Sequence, residues 1–519
     1  MKAPSSLLGL AACFILADGV QVEVSSVSAS ASDASAEALA GMELHAENQA
    51  EHVTPLYRRE KKHSSAHATL GLEAHYGAAA TGVHSSVTPR GNLTTPLEDM
   101  TSEYIGHIGV GTGPDGGPQF KAKVVFDTGS TNLWVASVLC QSFPCVGERA
   151  REFYDPHKSM TSEAYMHTGK TNKDIDIIFG TGELRGPLHV DTYRVGPMVV
   201  KRQPFAMIRE MTGSVFSSFP FEGILGLGFR SLSFGGIEPF FERVIDQKLL
   251  KSNEFAFFLN ADPSQPSAIL WGGVDKSLYQ GPIRMFPVVQ AHYWALELLD
   301  FRIGNHSLGI SSSGRRKVKR LIVDSGTTYF TAPSALYPTI AKRLQATECA
   351  EVEKNAERYA PLVFVLKSAS GKKFELEVTQ ETYMLGDGVQ GDGEANDVGR
   401  CRPAFMRLDV APKYGPAMIL GEVFMRSFFT VFSRGTGEGS QAKVGFARAR
   451  VGAVPQGSQE LAALQPAELA AAADSFTEES ERSVPSEPLR PTPRRRTGKP
   501  GSGSHSLMRR EEDADGASL

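Results

Sequence analysis

Cysteine is scarce in this chain, with five in 519 residues, and tryptophan is scarcer still, with three. A disulfide-dense miniature scaffold is thereby excluded, because such folds devote about a tenth of a short chain to cysteine. No CxxC pair occurs, and the thirteen His show no HExxH spacing, so no metal site and no other cofactor is expected. The G-x-S-x-G elbow is missing too, which removes the commonest serine-hydrolase signature. Nor is there an excess of one charge: 54 Lys+Arg against 58 Asp+Glu leave a net −4, too little field to bind nucleic acid by bulk electrostatics. The most apolar stretch, Leu7–Ala17, falls short of a bilayer, which excludes a polytopic membrane protein. What is plentiful is glycine (51) and proline (30), a usage that rules out coiled coil and points to many turns and short strands.

Aromatic residues locate the core. Residues 1–95 hold Phe14, Tyr57 and Tyr76 and residues 449–519 hold Phe476, while the other 41 fall in 96–448. Only that central span has the payload for a conventional core. Lys2 followed by Leu7–Ala17 and then Asp18 reads as a secretory signal peptide, residues 1–19, with an uncleaved signal anchor as the alternative. Residues 20–95 are rich in Ser, Ala and His and read as a pro-segment with one basic island, Pro55–His63. Residues 449–519 run into Ser, Pro, Glu and Arg and read as a disordered low-complexity tail. No apolar segment closes the chain, so no C-terminal anchor is expected. Together these features predict a protein of the secretory pathway.

Within 96–448 the sequence repeats. Val124–Ser137 (VVFDTGSTNLWVAS) and Leu321–Ser334 (LIVDSGTTYFTAPS) each place apolar residues before Asp, Ser/Thr, Gly, Ser/Thr. Asp127 precedes Ile224-Leu225-Gly226 by 97 residues and Asp324 precedes Ile419-Leu420-Gly421 by 95. Matched motifs with matched partners mark a diverged duplication, two lobes of one plan. Each copy delivers a carboxylate from the end of a buried strand, with a glycine (Gly129, Gly326) for close backbone approach and hydroxyls able to hold the carboxylate. Two carboxylates meeting at an inter-lobe cleft cannot both ionise, so one accepts a proton from water while the other donates to a carbonyl. That chemistry is peptide hydrolysis through a noncovalent tetrahedral intermediate.

With these residues in view, the sequence resembles the pepsin-like aspartic proteases over 96–448: EYIGHIGVGTG, FDTGSTNLWV, IIFGTGELRG, FEGILGLG, IVDSGTTYF, ILGEVFMRSFFTVF and VGFA. The resemblance implies an all-β-dominated bilobal fold, with lobes of about 96–285 and 286–448 and a cleft between them. It implies an aspartic endopeptidase that acts on polypeptides, is made as a zymogen inhibited by its own pro-segment, and is monomeric. It makes Asp127 and Asp324 the catalytic dyad, Ser130 and Thr327 their outer hydrogen-bond partners, and Gly129, Gly326 and Thr328 the cleft lining. Phe179, Gly180, Thr181 and Gly182 would form the flap over the substrate. The family has Tyr where this flap has Phe179, so the usual hydrogen bond toward the indole of Trp134 is lost. That departure is similar to a subgroup of apicomplexan proteases that mature other secretory proteins. The competing reading is a non-catalytic peptide-binding protein on the same fold.

By the same resemblance Cys140 pairs with Cys145 and Cys349 with Cys401, while Cys13 leaves with the signal peptide. Three further signals are weighed. Gly109–Gly113 imitates a nucleotide-binding run, but Pro114 and the residues after it demand a turn. Asn92 and Asn305 open glycosylation sequons. The basic insertion Gly314–Arg320 reads as a processing site, an acidic-substrate contact or, most simply, an exposed loop.

Overall fold

Strands form where the sequence alternates or runs apolar, and the first of them, β1 (His52–Glu60), lies far upstream of the rest. Strand β2 (Ser102–Val110) pairs antiparallel with β3 (Phe120–Asp127). In β3 the alternation Phe120 in, Lys121 out, Ala122 in, Lys123 out gives way to the fully buried Val124–Asp127. The strand thus enters from a half-solvated edge and ends inside the protein, covered on both faces. After a loop the chain returns as β4 (Leu133–Ala136). A hairpin of β5 (Ile175–Phe179) and β6 (Gly182–Gly186) forms a small sheet with β7 (Glu210–Thr212). Strand β8 (Gly223–Gly226) then slots between β3, to which it is parallel, and β4, to which it is antiparallel. Strand β9 (Ser267–Trp271) pairs with β1.

The second half repeats the plan. Strand β10 (Trp294–Ile303) pairs with β11 (Arg320–Val323), which ends just before Asp324. Strand β12 (Phe330–Ala332) follows the loop, and β13 (Ala417–Leu420) returns parallel to β11 and antiparallel to β12. The duplication read from the motifs is therefore a duplication of topology: strand to Asp, loop, strand, and a parallel return strand between them. The resulting fold is strand-dominated, with most strands in one 21-stranded sheet, and is consistent with the bilobal pepsin-like plan.

The computed structural model describes residues 49–60, 102–146, 153–167, 170–171, 174–179, 182–213, 221–262, 265–310, 317–355, 357–386, 399–437 and 439–455. All of them belong to one compact unit, Met1–Ala462. The signal-peptide segment, residues 456–519 of the tail, Asn92 and Cys13 lie outside the described residues.

One main core runs through both halves and includes Phe126, Leu225, Trp271, Trp294, Leu321, Leu420 and Phe424. Trp271 and Trp294 are fully buried, and each indole N–H donates: Trp271 to Thr54 Oγ1 at 2.8 Å, Trp294 to the Leu227 carbonyl at 3.0 Å. Arg434, almost wholly buried, pairs with Glu242 and lays its guanidinium 4.1 Å from the Phe229 ring. A charge at such depth is tolerable only with its partner in place. The glycine run 109–113 ends in a hydrogen-bonded turn, with the Gly113 amide donating to Gly117 and the Gly116 amide donating to Gly113.

One described segment lies upstream of the central span and packs on its core. Strand β1 lies within residues 20–95, yet it pairs with β9 through His52–Leu56 and with β2 through Tyr57–Glu60. Leu56 is 1 % exposed and Thr54 is buried. Of the basic insertion, Gly314, Arg315 and Arg316 lie outside the described residues; Lys317 and Lys319 are exposed, while Val318 is buried and its amide donates to Ile310, which anchors the end of the insertion.

Candidate active site

The ends of β3 and β11 bring Asp127 and Asp324 together, both fully buried. Within each loop the glycine amide turns back to its own aspartate: Gly129 N–H donates to Asp127 Oδ1 and Gly326 N–H to Asp324 Oδ1, each at 2.8 Å. The glycines are required by what lies opposite. A methyl group on Gly129 would overlap the carboxyl of Asp324, and one on Gly326 would overlap Asp127 Oδ1. Only a residue without Cβ lets each loop approach the other's carboxylate so closely.

The return strands need the same closeness. A Cβ on Gly226 would strike the backbone of Thr131, and one on Gly421 the carbonyls of Thr327 and Tyr329. The Leu227 amide donates to the Asp127 carbonyl at 2.7 Å, and the Asp324 amide donates to Leu420 at 3.0 Å. This is the physical meaning of the 97- and 95-residue spacing: each downstream Ile-Leu-Gly clamps the loop of its own aspartate.

Hydroxyls complete the arrangement, and they divide the labour in a way the sequence left open. Thr327 Oγ1 donates to Asp324 Oδ2 at 2.7 Å. Ser130 Oγ sits beside Asp127 and favours its ionised form, but makes no closed hydrogen bond; it and Asp127 Oδ2 are buried without a partner. The hydroxyls directly after the aspartates do not hold carboxylates at all. Thr128 Oγ1 donates to the Val323 carbonyl at 3.0 Å and accepts from the Ser325 amide at 2.9 Å. Ser325 Oγ donates to the Phe126 carbonyl at 2.7 Å and accepts from the Thr128 amide at 3.0 Å. These four reciprocal bonds lock one loop onto the other. Sequence reasoning missed them, although the small hydroxyl residue recurring between Asp and Gly in both copies was the available signal.

Burial drives the pKa of both carboxyls up. For Asp127 the next cause is the charge of Asp324, and its carboxyl is held well above the ordinary carboxylate range. For Asp324 the rise is tempered by the bonds from Thr327 and Gly326. The two carboxyls are therefore coupled, and their protons leave in steps that belong to the pair.

The β5–β6 hairpin closes with Phe179 opposite Gly182. Gly180 and Thr181 lie outside the described residues. Its inward residues Ile175, Ile177 and Leu184 share a packed cluster with Trp134, which is 3 % exposed. The hairpin is also tethered from the far side: the Met211 amide of β7 donates to Ser142 Oγ at 2.7 Å, and Ser142 lies in the loop closed by the Cys140–Cys145 disulfide. The second disulfide joins Cys349 to Cys401. Thr328 is buried next to Thr327.

The chain is similar in sequence to known proteins. The family described as "Eukaryotic aspartyl protease" matches residues 103–449. Aspartic protease 3 of Toxoplasma gondii is 36 % identical over 360 residues, 68 % of this chain but only 51 % of that protein, so the match spans about half of that relative's length. Cathepsin D of Gallus gallus is 34 % identical over 355 residues (67 % of this chain, 81 % of the relative), and pepsin A of Sus scrofa 32 % over 345 (65 % and 81 %). With a family match over two thirds of its length, this chain, whose two aspartates are presented by duplicate loops each clamped by its own return strand, belongs to the eukaryotic aspartyl proteases.

Proposed function

We propose that this protein is an aspartic endopeptidase in which Asp127 and Asp324 are the catalytic pair. The observation that carries the reading is the meeting of two fully buried carboxyls, each placed where the other's loop admits no side chain. With one proton between them, the ionised member takes a proton from a water molecule as it attacks the peptide carbonyl. The protonated member gives its proton to the carbonyl oxygen, and no bond to the protein forms. Thr327 holds the outer oxygen of Asp324, and Ser130 stands in the matching place beside Asp127. Gly129, Gly326 and Thr328 line the floor against the substrate backbone, and the β5–β6 hairpin acts as the flap that closes over it and keeps bulk solvent out. Trp134 supports that flap from within its apolar cluster.

The finer reading is of a zymogen of the secretory pathway that processes other polypeptides of that route. A leader with signal-peptide character, two disulfides and an exposed sequon residue, Asn305, support the compartment. Strand β1 followed by a basic run supports a pro-segment folded against the enzyme. The likeness to a Toxoplasma aspartic protease supports an apicomplexan type. The test is hydrolysis of a denatured protein at acid pH by the activated enzyme and by Asp127→Asn and Asp324→Asn. Each variant is expected to keep the fold by circular dichroism and to lose at least about a thousandfold in rate, the scale of a general acid–base group. Hydrolysis at full rate by either variant would overturn the assignment.

A further inference from the structure

We propose that Arg320, Lys413 and His292 form a carboxylate-binding patch that recognises an acidic side chain of the peptide substrate near the scissile bond. The proposal rests on the peptidase reading and extends it to substrate choice. All three side chains gather around one short stretch, Tyr414-Gly415. Lys413 Nζ lies 4.7 Å from the Tyr414 ring centroid, and the His292 ring lies 5.3 Å from the same ring. The Arg320 guanidinium abuts Gly415, its Nη1 standing 2.9 Å from where a Cβ would be. Lys413 is exposed, while Arg320 and His292 are half-buried. His292 Nδ1 is engaged with Ser231 Oγ at 2.6 Å, which orients the ring.

Among the described residues no acid is paired with this charge. Neither Arg320 nor Lys413 makes an ion pair among the described residues, and the charges felt by His292, Lys413 and Arg320, are both positive. Glu297, the cross-strand neighbour of Arg320, is taken up by Lys367 at 3.1 Å. Exposed Lys317 and Lys319 add to the same sign just upstream. In a chain of net charge −4, a cluster of like charges kept without counter-ions repels itself and is relieved by an anionic ligand.

The position fits a substrate contact. Tyr414 packs in one cluster with Leu232, Ile322 and Ile419. Ile322 precedes Asp324 by two residues on β11, and Leu232 follows β8, whose Gly226 is in register with Asp127. Arg320 opens the strand that ends at Asp324, so at a rise of about 3.3 Å per residue it stands about 13 Å away along the chain. An extended substrate covers that distance in about four residues.

The experiment uses the activated enzyme and a set of peptides of one sequence in which each position flanking the scissile bond is in turn Glu or Gln. kcat/KM is measured at about pH 5.5, above the glutamate pKa, in low and high salt. At one or two positions Glu is expected to exceed Gln by about three- to tenfold, mainly through KM. That ratio should fall toward one in high salt, in Lys413→Glu and in Arg320→Gln, with thermal melts showing both variants folded. A ratio near one at every position in the parent enzyme, or a ratio that survives both substitutions, would overturn the proposal. The same peptides, fluorescently tagged, are titrated against Asp324→Asn. Tighter binding of the Glu form there, with no hydrolysis by the parent, would sustain the patch and contradict the peptidase reading instead.

Discussion

Asp127 and Asp324 are each held above the ordinary carboxylate range, chiefly by burial. A carboxyl whose pKa is raised in the folded state binds its proton more tightly folded than unfolded. The stability it contributes is therefore present in acid and is lost as pH rises from about 4 through the raised value. Asp127→Asn removes that liability, so the variant should melt higher than the parent at neutral pH, with the gain vanishing below about pH 4. Calorimetry at the two pH values decides it. Gly326→Ala tests geometry rather than charge. Its methyl group would enter the space of the Asp127 carboxyl, so kcat should fall by about a hundredfold or more while the fold persists. The aspartates and glycines were legible in sequence because the motif occurs twice with matched partners. The crossing of Thr128 and Ser325 was not, because a hydroxyl's partner depends on how two loops nearly 200 residues apart meet.

Among elements, the two disulfides make a quantitative pair. Cys349–Cys401 closes a loop with a sequence separation of 52, and Cys140–Cys145 one of 5. On chain entropy the longer bridge contributes about 4 kcal/mol and the shorter about 2. Replacing Cys349 and Cys401 by Ser should therefore lower the denaturation midpoint more than replacing Cys140 and Cys145. The smaller loop carries a different consequence, since its Ser142 holds β7 and β7 holds the flap hairpin. Loss of Cys140–Cys145 should appear as a raised KM, measurable with a single peptide substrate. Strands β3 and β11 were readable as apolar runs ending in Asp, whereas β1 was hidden. HVTPLYRRE carries a proline and a charged end, and its burial comes from β9, more than 200 residues away, where Thr54 faces Ile269.

For the folded molecule as a whole, β1 is the unexpected member. It hydrogen-bonds Trp271 through Thr54, buries Leu56 beside Gly106, and joins β2 to β9. A chain that begins at residue 61 would bare the side of Trp271 that Thr54 now covers and would forfeit about 1.5–3 kcal/mol for Leu56 alone. It should melt well below the full chain, and equal melting temperatures would contradict the placement. The central claim, one proton shared between two buried carboxyls that together hydrolyse a peptide, is tested most directly by kcat/KM against pH for the activated enzyme on an uncharged peptide. The account predicts a bell-shaped profile confined to acid, with both limbs set by the pair, and a fall once both carboxyls ionise. A rate that is flat or still rising through pH 7 would contradict it.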